Sequence, residues 1–160
     1  MQPRIAYGRV AHDGVKTMAA LDQYLRTCGL EKSILDLVML RASQINGCAP
    51  CMDAHWKDLR AAGESEPRLY SLDAWRDAPY YTERERAALA WAEAVTRVTE
   101  GHVPDDVYEE ARRQFGEKEI VDLTLAVVCI NGWNRMNIAF RKVPGAYQPR
   151  AAQPPKTDAV

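Results

Sequence analysis

The sequence lacks an apolar run that could cross a membrane, since no stretch approaches the roughly 18 apolar residues that a transmembrane helix needs. Its N-terminus contains no apolar segment of the kind found in secretory signals. Neither sign of charge dominates, because 21 Lys and Arg residues are balanced by 22 Asp and Glu residues. No overall basic excess favours a nucleic acid or an anionic membrane as partner. The composition therefore predicts a soluble, cytoplasmic protein without such partners.

Cysteine is scarce, with four residues in a chain of 160, which is too few for a disulfide-stapled scaffold. Hydrophobic residues make up 47% and charged residues 27%, as is typical of a globular domain. A domain of this length needs no disulfide or metal to build its core. Cys28 and Cys129 stand alone in apolar surroundings and are expected to be small buried hydrophobes. Cys48 and Cys51 differ, because they form a Cys-x-x-Cys pair.

Helix signals dominate the chain. Apolar residues at helical spacing, together with Gly and Pro stops, predict about seven helices, at about 13–28, 32–45, 49–62, 65–78, 82–95, 104–115 and 118–141. Thr82 and Glu85 have the spacing of a capping box. The β-branched run 127–130 could be a strand, but its place inside a long apolar segment favours a buried helix. The expectation is an all-α, single-domain bundle.

The two ends differ in composition from the middle. Residues 1–12 are predicted to be an N-terminal arm, 13–142 the helical domain, and 143–160 a Pro-rich C-terminal arm. In an oligomer such arms could pack on neighbouring subunits.

Polar residues within the helices raise separate questions. Asn134 and Arg135 lie in the apolar last helix, where buried polar groups need partners, so a structural network or a subunit contact is expected. Glu93 lies on a helix of mixed charge and is expected to face solvent, with a reach toward the functional site as the alternative.

The residues that carry chemistry are Cys48, Cys51 and His55, in the stretch Ser-Gln-Ile-Asn-Gly-Cys-Ala-Pro-Cys-Met-Asp-Ala-His. The Asn-Gly pair is able to end one helix, which places Cys48 near the start of the next, where the helix dipole favours a thiolate. Three residues of helix turn Cys48 and Cys51 about 60° apart, so their sulfurs could meet as a disulfide. His55 lies on the same face, where an imidazole can take a thiol proton. The spacing predicts a nucleophile, a base and a resolving thiol.

Other interpretations of the pair stay open. It could be half of a zinc site with His55 as third ligand, although Asp36, Asp53 and His102, the candidate fourth ligands, lack a recognisable spacing. A thioredoxin-type domain also hosts Cys-x-Pro-Cys, but it needs strands that the periodicity does not predict. Inert packing thiols are the remaining possibility.

Residues 36–55, Asp-Leu-Val-Met-Leu-Arg-Ala-Ser-Gln-Ile-Asn-Gly-Cys-Ala-Pro-Cys-Met-Asp-Ala-His, resemble the core motif of the AhpD-like alkylhydroperoxidases. These belong to the carboxymuconolactone decarboxylase superfamily. Further blocks extend the resemblance over about residues 15 to 141, at 62–68, 75–79, 83–93 and 130–135. The resemblance implies an all-α fold that works as a homotrimer or homohexamer. It also implies an oxidoreductase that reduces hydroperoxides with electrons from an external dithiol and needs no metal or cofactor.

The resemblance also implies roles for individual residues. Cys51 would attack the peroxide with the help of His55, and Cys48 would resolve the sulfenic acid into a disulfide. The family's glutamate, twelve residues before the first cysteine, is here Asp36, a shorter carboxylate that favours a bridging water over direct contact. Where the family often has an aromatic residue before the second cysteine, this chain has Pro50.

Two arguments about which cysteine is the nucleophile oppose each other. The helix start favours Cys48 as the nucleophile, whereas the nearby His55 favours Cys51. We expect Cys51, because a base within reach does more than a dipole for a thiol that must lose a proton.

Two alternative functions remain, a decarboxylase as the superfamily name suggests and a non-enzymatic redox or zinc-stabilised module.

Overall fold

Helices make up the regular structure of residues 2–149, the part of the chain that this computed structural model describes. The α-helices are α1 (Tyr7–Val10), α2 (His12–Leu25), α3 (Lys32–Asn46), α4 (Ala49–Ala61), α5 (Glu66–Tyr70), α6 (Glu83–Thr96), α7 (Asp105–Gln114) and α8 (Glu117–Ala139). Two single-turn 3₁₀ helices cover Leu72–Ala74 and Val98–Glu100. These residues include no strand, so the all-α prediction is confirmed, and the β-branched run lies inside α8. The additional helix is α1, within the predicted N-terminal arm.

Helix ends follow the local sequence signals. Gly47 has a φ of 67° and ends α3 in the left-handed region, which favours glycine. The next backbone N–H, that of Cys48, donates to the Ser43 carbonyl at 3.0 Å, and the chain then turns directly into α4. At the start of α6, Thr82 and Glu85 form the predicted capping box, with each side chain accepting from the other residue's backbone N–H.

The central helix is α3, which packs against α4, α6 and α8. Its apolar side chains enter two clusters on opposite sides. Val38 belongs to the cluster shared with α6 and α8, and Leu37 to the cluster shared with α4 and α6. Cys48 and Cys51 are part of the first cluster. The thiol pair therefore lies within the core rather than on an exposed loop.

Buried polar groups in the core are paired. Asn134 is fully buried, and its Nδ2 donates to Ser43 Oγ while its Oδ1 accepts from Asn46, so the expected structural network is confirmed. The expectation that Glu93 faces solvent is wrong. Glu93 is only 6% exposed, and its carboxylate accepts from Arg41 Nε at 2.7 Å and Trp75 Nε1 at 3.0 Å, which offsets the cost of burying the charge.

Both ends of the described chain contact the helical core. The backbone N–H and the guanidinium of Arg4 donate to carbonyls at the end of α8. Near the other end, Lys57 on α4 donates to the carbonyls of Gly145 and Tyr147. Residues 150–160 of the predicted C-terminal arm lie outside the described residues.

Within residues 2–149 no helix combines the length and the apolar character needed to traverse a bilayer.

Candidate active site

Cys48 and Cys51 are joined by a disulfide at the start of α4. Cys48 is the residue that precedes the helix, Pro50 lies in the first turn, and the two Cα atoms are 5.3 Å apart. Both cysteines are buried. The helix start that the sequence predicts for Cys48 is therefore observed, and the sulfurs meet as the spacing allows.

The sulfur of Cys51 also contacts α8. Asn137 Nδ2 donates a hydrogen bond to Cys51 Sγ at 3.3 Å, and Asn137 Oδ1 in turn accepts from the hydroxyl of Tyr7 at 2.6 Å. Asn137 is buried and Tyr7 is half-buried. Burial also raises the pKa of the Tyr7 phenol above its ordinary value. A hydrogen-bond chain thus runs from α1 through α8 to the thiol pair.

His55 lies one turn after Cys51 on α4, and the residue as a whole is half-buried. Its Nδ1 is buried and has no hydrogen-bond partner among residues 2–149. Burial lowers the pKa of His55 below its ordinary value, and the carboxylates of Asp36 and Asp58 oppose that shift. An imidazole that is neutral and unpartnered at neutral pH is suited to accept a proton.

Asp36 lies on α3 and is partly buried. Lys32, one turn earlier, donates to its carboxylate, and no hydrogen bond joins Asp36 to His55 within the described chain. The carboxylate lines a cleft of about 220 Å³ together with Leu59 and Glu64. The charge of Asp36 thus acts on His55 without a hydrogen bond between the two side chains.

A second cavity, of about 370 Å³, opens beside Tyr7. It is lined by apolar residues that include Ile5 and Phe140 and by the basic residues Arg9 and Lys142. The Tyr7 ring packs on Phe140 with 5.5 Å between centroids. This cavity is formed between the N-terminal segment and the end of α8.

The two remaining cysteines are separate from this arrangement. Cys129 is buried in α8, and burial raises the pKa of its thiol to about 11, which leaves it protonated and unreactive at neutral pH. Cys28 is half-buried and its Sγ donates to the Leu25 carbonyl at 3.2 Å. In the part of the chain that the structure describes, no three His, Cys, Asp or Glu side chains group closely enough to hold a metal ion.

Asn137 and Tyr7 were not singled out by the sequence analysis. Asn137 follows Asn134 by three residues on the same apolar helix, so the argument that buried amides need partners could have included it. Tyr7 carries no comparable signal, because it lies in a segment predicted to be an arm.

The chain belongs to the carboxymuconolactone decarboxylase family, whose sequence model matches residues 13–94, and its fold is AhpD-like. This family includes enzymes. A crystal structure from Agrobacterium tumefaciens, of a protein of unknown function provisionally described as an antioxidant defence protein AhpD, shares 42% identity with this chain. It superimposes with a TM-score of 0.88 over 91% of this chain and 100% of its own.

Two curated relatives extend the comparison. The uncharacterized protein YdfG of Bacillus subtilis is 38% identical over 140 residues, which covers 88% of this chain and 95% of YdfG. The alkyl hydroperoxide reductase AhpD of Bradyrhizobium diazoefficiens is 54% identical over 35 residues, or 22% of this chain and 19% of that protein. The second similarity is local, and the first spans nearly the whole domain.

Proposed function

We propose that this protein is a thiol-dependent peroxidase that reduces hydroperoxides through Cys51, with Cys48 as the resolving thiol. The observation that carries the proposal is the bonded Cys48–Cys51 pair at the start of α4, one turn before an imidazole whose buried Nδ1 has no partner in residues 2–149. The name of the Bradyrhizobium relative, an alkyl hydroperoxide reductase, agrees with this chemistry.

The cycle begins with the pair reduced. His55 accepts the Cys51 proton, and the thiolate attacks one oxygen of ROOH, so that the O–O bond breaks and Cys51 becomes a sulfenic acid. The leaving alkoxide takes the proton from the imidazolium and departs as ROH. The Cys48 thiol then displaces water from the sulfenic acid, which forms the disulfide. An external dithiol supplies two electrons by thiol–disulfide exchange and becomes a disulfide itself.

Asp36 supports His55 in this proposal. No hydrogen bond joins its carboxylate to the imidazole within residues 2–149, so its contribution is electrostatic: it stabilises the imidazolium that forms while the thiolate attacks. Lys32 neutralises part of that charge. Replacing Asp36 by Asn is therefore expected to slow turnover less than replacing His55 by Gln.

Peroxide consumption by the reduced protein tests the function. With an organic hydroperoxide and dithiothreitol as reductant, the wild-type protein is expected to turn over, and Cys51→Ser is expected to lose all activity above the uncatalysed rate. Once dithiothreitol is removed, reduced Cys48→Ser is expected to react once and hold a sulfenic acid or, with an added monothiol, a mixed disulfide, seen by intact mass. Cys129→Ser is the matched control, because it removes a thiol outside the site. Unchanged peroxidase rates in Cys51→Ser would refute the proposal.

The proposal includes self-association as a homotrimer or homohexamer in the cytoplasm, where dithiol reductants are available. Val121, Leu125 and Val128 are spaced along one face of α8, and the two valines are 58% and 53% exposed. An exposed apolar helix face of this kind favours burial against another subunit. Light scattering should show an oligomer for the wild-type protein and a smaller species for Val128→Glu, whereas a wild-type monomer would contradict this part.

A further inference from the structure

Asn137 is the side chain that donates a hydrogen bond to a sulfur of the thiol pair within residues 2–149. It comes from α8, whereas both cysteines and His55 belong to α4 or its start, so it adds a second element to the site. Its side chain is buried, with 7% exposure, and Cys51 is 4% exposed. A hydrogen bond to a charged atom in such a place is stronger than one exposed to water.

Tyr7 determines which end of the amide faces the sulfur. A carboxamide has a donor end and an acceptor end, and only the donor end favours a sulfur anion. The hydroxyl of Tyr7 donates to Asn137 Oδ1 at 2.6 Å, which leaves Nδ2 for Cys51. Because burial raises the pKa of the phenol, Tyr7 remains protonated and keeps donating at neutral pH.

The segment that carries Tyr7 is itself held in place. The Arg4 backbone N–H donates to the Phe140 carbonyl at 3.0 Å, and the Arg4 guanidinium donates to the Ala139 carbonyl at 3.1 Å. The Tyr7 ring also packs on Phe140. The position of the hydroxyl is thus fixed by the same helix that carries Asn137.

We propose that Asn137 is a catalytic residue that holds the Cys51 sulfur as an anion, and that Tyr7 is the positioning residue that orients its amide. The inference deepens the proposed peroxidase function and rests on it for turnover. In the reduced protein, Nδ2 donates to the thiolate that attacks the peroxide oxygen. In the oxidised protein the same donor favours Cys51 as the leaving sulfur.

Because Asn137 donates to Cys51 and not to Cys48, the two sulfurs of the disulfide differ, and this difference determines which of them the reductant attacks. A thiolate of the external dithiol attacks Cys48 Sγ, the S–S bond breaks, and its electron pair goes to Cys51 Sγ, where Asn137 donates. The second thiol of the same reductant then attacks the reductant sulfur bonded to Cys48, so that this S–S bond breaks, Cys48 is released as a thiol and the reductant departs as a cyclic disulfide. A mixed disulfide with the reductant is therefore expected on Cys48 and not on Cys51.

Several charged groups around the site shift the pKa of His55 by their electrostatic influence. Asp36 on α3, Asp58 on α4, Asp22 on α2 and Arg26 just after α2 all influence the imidazole. From α8 and α1, the contacts to the sulfur are the neutral Asn137 and, behind it, Tyr7. Replacing Asn137 or Tyr7 therefore changes the sulfur environment without removing any of these charges.

The test measures the reactivity of Cys51 directly, without peroxide. In the reduced Cys48→Ser background, alkylation of Cys51 by iodoacetamide is followed from pH 4 to 10 by peptide mapping. Loss of one charge-assisted hydrogen bond in Asn137→Ala should move the midpoint of this profile upward by roughly one to two pH units. Asn137→Asp keeps the shape of the side chain and the hydrogen bond from Tyr7 but places an anion beside the sulfur. The upward shift of the midpoint should therefore be at least as large as in Asn137→Ala. Tyr7→Phe should produce a smaller shift, of about half a pH unit.

Asn134→Ala is the matched control, since Asn134 is buried on the same helix but bonds to Ser43 and Asn46 instead of the sulfur. It should leave the midpoint in place. A midpoint unchanged in both Asn137 variants would overturn the role of Asn137, and an unchanged Tyr7→Phe profile would overturn the positioning role. The expected shifts without any peroxide turnover in the wild-type protein would refute the peroxidase function while supporting the role of Asn137.

Discussion

Replacing Glu93 by Leu should destabilise the protein strongly, because it removes the partner of a buried charge. The Arg41 and Glu93 side chains are 11% and 8% exposed, and their atoms are 2.7 Å apart. Breaking a buried pair of this kind costs about 3–5 kcal/mol of unfolding free energy. Arg76 also bonds to Glu93 at 2.6 Å, but its side chain is 61% exposed, so its share is under about 1 kcal/mol.

Urea unfolding at fixed protein concentration measures this loss. Asp22→Asn is the control, because the Arg26–Asp22 pair is exposed and should be worth less than about 1 kcal/mol. The double variant Arg41→Met, Glu93→Leu removes both charges and should recover about 1–3 kcal/mol of the loss. If Glu93→Leu cost no more than Asp22→Asn, the argument that the buried guanidinium needs its carboxylate would be refuted.

Two further predictions concern the site region. Since burial lowers the pKa of His55 in the folded protein, the unfolded chain takes up its proton first, and stability should fall as the pH drops below about 6.5 toward the lowered folded pKa. His55→Gln should make the unfolding free energy less dependent on pH in that window. An unchanged pH dependence would contradict the argument that burial lowers the pKa of the imidazole. Gly47→Ala should cost about 1–2 kcal/mol in urea unfolding because its φ is 67°. Gly14→Ala, inside α2 with open space around it, should instead stabilise by about 0.5–1 kcal/mol; equal effects at both positions would contradict the backbone argument.

Local features of the fold could be predicted from the sequence, because their causes lie within a few residues. Gly47 and the Thr82–Glu85 pair determine helix ends through their own backbone and side chains. The Cys48–Cys51 spacing determines that the two sulfurs can meet on one helix turn. Apolar periodicity was sufficient to predict a helical bundle.

Features that depend on distant residues could not be predicted in the same way. Asn137 is 86 positions from Cys51, and Tyr7 is 130 positions from Asn137. Periodicity identifies a buried face of a helix but not which turn of another helix it meets. The same limit explains the error at Glu93, whose partner Arg41 is 52 positions away on α3.

The anchoring of the first residues against α8 has a practical consequence for producing the protein. An affinity tag fused before Met1 would be joined to a segment in which Arg4 and Tyr7 already make defined contacts with α8. Strain or bulk introduced there would be transmitted to the amide that touches Cys51. Kinetic comparisons between variants should therefore use the same N-terminal sequence throughout, so that differences in rate report on the substituted residue.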